Sequence, residues 1–144
     1  MRWLHSMPLG PSVMPSCVVD ASAFAKALID HSGDGERLRR RLRSVRIAAP
    51  DYLPVEVASA LRGRVAGGRL NPTRAAEALD RLAEAPFVRF DTRRLLGRIW
   101  ELRDNLTTYD AGYVALAEAL ECPLITADAR ISRAPGLRCV VEVV

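Results

Sequence analysis

The stretch "SCVVDASAF", residues 16–24, ends a short apolar run on a carboxylate and then begins a helical pattern. Cys17, Val18 and Val19 are typical of a strand that is buried inside a sheet. The alanine-rich segment that follows Asp20 has the composition of a helix. Asp20 therefore stands between a strand and a helix, where it is either a helix N-cap or a carboxylate with a chemical role. The rest of the chain must distinguish these alternatives.

Short apolar runs alternate with helical patterns along the whole chain. Further strands are predicted in "VRIAAP" (45–50), "FVRF" (87–90), "CPLIT" (122–126) and "LRCVVEVV" (137–144). Helices are predicted at 21–30, 36–44, 55–68, 71–86, 91–105 and 107–121, with Asn71 or Thr73 as the cap of the fourth. This alternation predicts an α/β fold in three layers, α/β/α, with a central parallel sheet of four to five strands.

The composition is that of an ordinary globular domain. The chain has 144 residues, of which 49% are hydrophobic and 26% are charged, and no apolar run approaches the ~20 residues of a membrane helix. Residues 1–15 contain three prolines and make a poor signal peptide. We expect them to be a disordered or non-native extension, with Met14 as an alternative start, ahead of one domain at 16–144.

Cysteine usage and charge limit the chemistry. The three cysteines are widely spaced and only two histidines accompany them, so we expect reduced thiols in a cytoplasmic protein and no zinc site. The net charge is +4, carried almost entirely by arginine, which suits phosphate recognition. A GC-rich genome would produce the same arginine and alanine enrichment, so charge alone does not indicate a nucleic-acid ligand.

Four acids stand at the ends of predicted elements rather than on polar helix faces. They are Asp20, Glu56, Asp110 and Asp128. Singly, each has a structural explanation as a helix cap, a turn residue or a charge favoured at a helix N-terminus. Together, they suit a cluster at the carboxyl edge of a parallel sheet, where ligands bind. An oxygen-only cluster points to Mg²⁺ or Mn²⁺, and such sites usually act on phosphates.

In their local strings the four acids resemble a known family. "VVDASAF", "PDYLPVEVASALRGRVAGGRL", "TTYDAGYVALAEALECPLITADARI" and the closing "VVEV" are similar to a PIN-domain ribonuclease, specifically a VapC-type toxin of a bacterial toxin–antitoxin pair. The resemblance runs from about residue 16 to the end, and the third string is the most specific. It implies a PIN-like fold and metal-dependent endonucleolytic cleavage of structured RNA of the tRNA or rRNA class, which would inhibit translation.

The resemblance also implies residue roles and partners. Asp20, Glu56, Asp110 and Asp128 would be the catalytic acids, and the three aspartates among them would hold Mg²⁺ or Mn²⁺. Thr126 and Ser22 would lie beside the substrate, although for Ser22 a hydroxyl that caps the first helix is an equal alternative. Arg62 and Arg64 would follow the RNA backbone or simply form a solvated face. The expected partners are the RNA, a cognate antitoxin in a hetero-oligomer and a second copy in a homodimer, with no membrane.

Other parallel-sheet classes fit less well. A haloacid-dehalogenase-like phosphatase wants an acid where Ser22 stands, and a receiver domain wants a late lysine, whereas the only lysine is Lys26. The remaining alternative is a catalytically silent PIN-like module that binds RNA or a partner. Tyr109 and Tyr113 flank Asp110, where an aromatic ring could stack on an unpaired base, although Tyr113 is better explained as core.

Overall fold

A computed structural model describes residues 14–144 of the chain. The extension predicted at residues 1–15 therefore lies almost wholly outside the described residues. Five strands and seven helices follow one another in the described part. The strands are β1 (Cys17–Val19), β2 (Ile47–Pro50), β3 (Val88–Phe90), β4 (Leu124–Thr126) and β5 (Val141–Val143). The helices are α1 (Ala21–Ile29), α2 (Gly33–Arg43), α3 (Leu53–Ala66), α4 (Pro72–Glu84), α5 (Leu96–Glu101), α6 (Thr108–Leu120) and α7 (Ala129–Ser132).

All five strands form one parallel sheet in the order β3-β2-β1-β4-β5. The chain builds one half of the sheet from β1 through β2 to β3 and then crosses to the other side of β1 for β4 and β5. The strand order thus reverses between β1 and β4, where Val18 pairs with Leu124. This topology confirms the predicted α/β fold with a parallel sheet and sets the strand number at five. A reversal of this kind opens a crevice at the carboxyl ends of the two central strands.

Helices cover both faces of the sheet. On one face α1 packs against α2, α3 and α4, and on the other α6 packs beside α5 and across β1, β2 and β4. β1 and β4 are fully buried, as the apolar runs predicted, whereas the edge strands β3 and β5 are partly exposed. Helix α6 is buried along most of its length because it lies against the central strands. Among residues 14–144, no helix is long and apolar enough to cross a membrane.

Two predicted elements are shorter in the structure, and one was missed. The helix predicted at 91–105 is a 3₁₀ turn, Arg93–Leu95, followed by the six-residue α5. Its start differs because the Asp91 carboxylate accepts from the backbone N–H of Arg93 and forms a tight turn. The last strand spans only Val141–Val143, and α7 has just four residues, too few to show a helical period. Asn71 caps α4 as predicted, accepting from the N–H of Thr73.

The junction between α1 and α2 depends on a glycine. Gly35 is buried in the first turn of α2, and a Cβ built on it would overlap the backbone carbonyl of Asp30 at the end of α1. Gly33, two residues earlier in the same turn, has its nearest neighbour at ordinary contact distance. A side chain is therefore sterically excluded at Gly35 but accommodated at Gly33.

We expect Gly35→Ala to lower the free energy of unfolding by about 1–3 kcal/mol, because the helices must separate. Gly33→Ala, the matched control, should be neutral or stabilising by up to about 1 kcal/mol. Urea denaturation followed by circular dichroism measures both values. Equal stability of the two variants would contradict this packing of α1 against α2.

Candidate active site

The carboxyl ends of β1 and β4 form the floor of the candidate site. Asp20 directly follows β1, Thr126 is the last residue of β4, and Asp128 comes two residues later. The backbone N–H of Asp20 donates to the carbonyl oxygen of Ile125 at 3.1 Å, which holds the two strand ends side by side. The sheet therefore brings Asp20 and Asp128 to one edge, as the parallel topology predicted.

Asp20 is a buried carboxylate that three donors surround. It is 3% exposed. Its Oδ1 accepts from the N–H of Ala23 at 2.9 Å and from the hydroxyl of Ser22 at 2.7 Å, and its Oδ2 accepts from the hydroxyl of Thr126 at 2.5 Å. The bond to Ala23 makes Asp20 the N-cap of α1. The two explanations of Asp20 are therefore compatible, because capping uses one oxygen and leaves the other facing β4.

Burial is costly for the Asp20 anion. Desolvation raises the pKa of Asp20, with a smaller contribution from the charge of Asp110, although its three hydrogen bonds act in the opposite direction. Each hydroxyl gives its single proton to Asp20 and accepts from the backbone instead. Ser22 Oγ accepts from the N–H of Ala127, and Thr126 Oγ1 accepts from the N–H of Asp128, both at 3.0 Å. This network fixes the orientation of the carboxylate and of the turn after β4.

Glu56 and Asp110 lie near the N-termini of α3 and α6 and are half-buried. Glu56 Oε1 accepts a 2.7 Å hydrogen bond from the hydroxyl of Tyr113. Burial raises the pKa of Glu56, and the nearby charges of Asp110 and Asp20 raise it further. Burial likewise raises the pKa of Asp110, and Asp128 contributes to that increase. The four acids are therefore close enough to influence one another's charge. For three of them, Asp20, Glu56 and Asp110, the environment disfavours the anion.

Asp128 differs because it has its own counter-ion. Its carboxylate caps α7 by accepting from the N–H of Arg130 at 3.0 Å. The guanidinium of Arg130 binds both carboxylate oxygens, with Nε 3.0 Å from Oδ1 and Nη2 2.7 Å from Oδ2. These bonds hold the pKa of Asp128 below its ordinary value, and the charge of Arg130 also offsets part of the increase in the pKa of Asp110. Arg130 therefore partly compensates the charge of this group of acids.

The donor chemistry fits a hard divalent cation, but the acids do not yet form a coordination sphere. Within residues 14–144, no group of three or more His, Cys, Asp or Glu side chains is close enough to hold a metal ion. The acids supply only oxygen ligands, which suits Mg²⁺ or Mn²⁺. Burial, with a smaller contribution from neighbouring acidic charges, disfavours the anions of Glu56 and Asp110, and a bound cation would relieve this. The metal site predicted at Asp20, Asp110 and Asp128 stays a prediction.

Of the other predicted site residues, two contact Asp20 and two lie on the exposed surface of α3. Thr126 is fully buried and Ser22 is half-buried, and both hydroxyls serve Asp20, so their predicted contact with substrate stays a prediction. The alternative that Ser22 caps α1 is wrong, because Asp20 occupies that position. Arg62 and Arg64 are exposed on α3, about 9 and 12 Å along the helix axis from Glu56. Their predicted RNA contacts also stay predictions.

Three side chains of the site were missed or incompletely predicted. Tyr113 is core, as expected, with 0% exposure, but its hydroxyl also orients Glu56. Its spacing of three residues from Asp110 places both on one side of α6, which was the available signal. Tyr52 packs between Tyr113 and Tyr109, and no sequence pattern indicated that contact. Arg130 stands two residues after Asp128, too close for a helical pattern to suggest pairing.

Comparison with known proteins agrees with this arrangement. A model of the PIN domain family matches residues 17–137. The curated Ribonuclease VapC1 of Mycobacterium tuberculosis is 42% identical over 136 residues, which cover 91% of this chain and 99% of that protein.

Two solved structures share the fold at lower identity. One is Mycobacterium tuberculosis VapC20, described as a sarcin-ricin loop cleaving toxin, with a TM-score of 0.63, 18% identity, and coverage of 82% of this chain and 94% of that one. The other is VapBC2 from Rickettsia felis, bound to a DNA fragment from its promoter, with a TM-score of 0.64, 14% identity, and coverage of 89% and 98%.

The raised pKa of Glu56 predicts a pH-dependent stability. The pKa of Glu56 in the folded chain lies above its unfolded value of 4.5, so folding favours the protonated carboxyl. The stability that Glu56 contributes is therefore complete below pH 4.5 and is lost as the pH rises through the folded pKa. In metal-free buffer, we expect Glu56→Gln to have a higher Tm than the unsubstituted chain at pH 7. The difference should shrink as the pH is lowered below 4.5.

Differential scanning calorimetry between pH 3.5 and pH 7.5 measures the effect. Glu77→Gln, at an exposed position on α4, is the control and should show no comparable pH-dependent change in Tm. A Tm of Glu56→Gln that is equal to or below that of the unsubstituted chain at every pH would contradict the prediction.

Proposed function

Because this chain belongs to the PIN domain family and, within it, to the VapC ribonucleases, we propose a specific role for it. We propose that it is the metal-dependent toxin of a toxin–antitoxin pair. Its proposed activity is endonucleolytic cleavage of structured RNA of the tRNA or rRNA class, which inhibits translation. The observation that carries the proposal is the placement of Asp20. A buried carboxylate with a raised pKa, at the point where the strand order reverses, is typical of a functional site.

Asp20, Asp110 and Asp128 are the proposed ligands of a divalent cation. Asp20 is preoriented by Ser22 and Thr126, which fix both of its oxygens. Asp128 becomes available when Arg130 moves off its carboxylate, and that exposed arginine can do so at little cost. When bound, the cation supplies positive charge that stabilises the phosphate as it reacts and activates the attacking water.

Glu56 is proposed to position the attacking water and accept its proton. Its raised pKa brings it closer to the pH at which a carboxylate serves as a general base. The hydroxyl of Tyr113 donates to Oε1, so that Oε2 is the oxygen left for water. Attack in line on phosphorus would then release the 3′ oxygen of the RNA.

The proposed substrate and partners follow from the relatives. VapC20 is described as cleaving the sarcin-ricin loop, which supports a structured RNA as the substrate here. VapBC-5 of Mycobacterium tuberculosis, another solved structure with this fold, is described as a member of the VapBC family of toxin–antitoxin systems, which supports a cognate antitoxin that neutralises this chain in a hetero-oligomer. The net charge of +4 favours association with RNA. A homodimer and a cytoplasmic location remain predictions from the sequence.

A catalytically silent module that binds RNA or a partner is the alternative function. The clustering of the four acids favours catalysis over binding alone. Clustered carboxylates repel RNA phosphates unless a cation is present. Cleavage that EDTA abolishes and Mg²⁺ restores would distinguish the two functions.

Removal of the Asp20 charge tests the catalytic proposal. We expect Asp20→Asn to reduce RNA cleavage by at least ~100-fold in saturating Mg²⁺, because a proposed ligand is lost from the cation site. Circular dichroism and Tm should show a folded chain, since an asparagine can still accept the hydrogen bond from Ala23. Asp80→Asn, on the exposed side of α4, is the control and should cleave normally. Full cleavage by folded Asp20→Asn would refute the assignment.

The toxin role makes a separate prediction in cells. Expression of this chain alone should arrest growth and generate new RNA 5′ ends at a few positions in tRNA or rRNA. Sequencing of those 5′ ends identifies the target. Co-expression of the neighbouring gene product should remove both effects, and expression of Asp20→Asn should produce neither. New ends that persist equally in the Asp20→Asn strain would show that another nuclease makes them.

A further inference from the structure

Tyr109 is an aromatic side chain exposed beside the candidate site. It occupies the first turn of α6, immediately before Asp110, and is 57% exposed. Tyr113, one turn later on the same helix, is fully buried. The exposed Tyr109 ring therefore leaves apolar surface available to a ligand beside the candidate site.

The Tyr109 ring is held in place rather than free to turn. The Tyr52 ring packs against it edge to face, with centroids 5.3 Å apart and planes at 83°. The Tyr52 hydroxyl also donates a 2.8 Å hydrogen bond to the carbonyl oxygen of Tyr109. On its other side, Tyr52 packs edge to face against Tyr113 at 5.5 Å. This series of three tyrosines connects the exposed ring to the buried core of the site.

The contacts among these three tyrosines require a glycine at position 112, which the Tyr52 hydroxyl approaches closely. A Cβ on Gly112 would overlap the Tyr52 hydroxyl, so any larger residue would displace Tyr52 and remove its contacts with Tyr109. The hydroxyl of Tyr113 in turn donates to Glu56, which joins the exposed ring to a candidate catalytic acid through direct contacts. The position of Tyr109 relative to Glu56 is therefore fixed by the packing of Tyr52 and Tyr113.

We propose that Tyr109 is a stacking platform for an unpaired nucleobase of the RNA, adjacent to the phosphate that is cleaved. The inference rests on the proposed function and names the part of the substrate that this surface takes. A preordered aromatic ring binds a base face at small entropic cost, and unpaired RNA bases commonly stack on such rings. Because the Asp110 carboxylate directly follows Tyr109 in the chain, the ring is better suited to the uncharged base of the RNA than to its phosphate.

The proposal predicts a preference for unpaired RNA that depends on the Tyr109 ring. The probe is a fluorescein-labelled oligouridine about twelve nucleotides long, with one 2-aminopurine at its centre, either single-stranded or annealed to its complement. Binding is measured by anisotropy in the Asp20→Asn background, and base stacking is measured by quenching of 2-aminopurine. The intact chain in EDTA repeats the comparison without that substitution.

Tyr109→Ala should weaken single-strand binding by about 5- to 100-fold and abolish the quenching, while duplex binding stays unchanged. Tyr109→Phe keeps the ring and should restore both signals. Val140→Ala removes an exposed apolar side chain next to the amino end of β5, the opposite edge of the sheet, and should have no effect.

Three results would overturn the proposal. The first is that Tyr109→Ala binds the single strand and quenches 2-aminopurine as well as the unsubstituted chain does. The second is that Tyr109→Phe loses binding and quenching as much as Tyr109→Ala does. The third is that Tyr109→Ala loses antitoxin binding while RNA binding stays intact, which would assign the ring to a protein contact. Cleavage by the chain with Asp20 intact, in Mg²⁺, is measured separately. If that chain cleaves RNA while Tyr109→Ala binds normally, the platform fails and the proposed function stands. If it cleaves no RNA, the proposed function fails on its own measurement.

Discussion

The hydrogen bonds between Asp20 and Thr126 and Ser22 are the interaction on which the site depends. They join the end of β1 to the end of β4, and the same hydroxyls accept from the backbone N–H groups of Ala127 and Asp128. One buried carboxylate therefore caps α1, orients the turn that carries Asp128, and contributes a candidate ligand. Unpaired, a buried anion of this kind would be strongly unfavourable, so the network is both a structural and a functional requirement.

The electrostatics of the acids divide them into two groups. Asp20, Glu56 and Asp110 have raised pKa values because they are buried near one another, whereas Arg130 lowers the pKa of Asp128. The protein thus keeps charged groups together at a cost to its own stability, with a movable arginine as partial compensation. This arrangement is expected of a site that is completed by a cation and an anionic substrate, since the binding of both removes the repulsion.

Local sequence predicted the parts of the structure that depend on local patterns. The apolar runs and helical periods gave the layers and the parallel sheet, and the position of Asp20 after a strand placed it at the correct edge. The order of the strands depends on tertiary packing and was not predictable from local patterns. The same holds for the contact of Tyr52 with Tyr109 and the hydrogen bond from Tyr113 to Glu56, each of which joins residues 57 apart in the chain. The helix at 91–105 was overestimated because a carboxylate turn at Asp91 competes with helix formation.

Anomalous diffraction from crystals soaked in Mn²⁺ shows directly whether Asp20, Asp110 and Asp128 hold a divalent cation. We expect an anomalous peak within about 2.0–2.6 Å of carboxylate oxygens of Asp20, Asp110 and Asp128, with the Arg130 guanidinium displaced from Asp128. Crystals of Asp20→Asn should lose the peak while the rest of the site keeps its positions. If the chain cleaves RNA in solution but its crystals show no Mn²⁺ at these carboxylates, or show it elsewhere, the three aspartates are not the cation site.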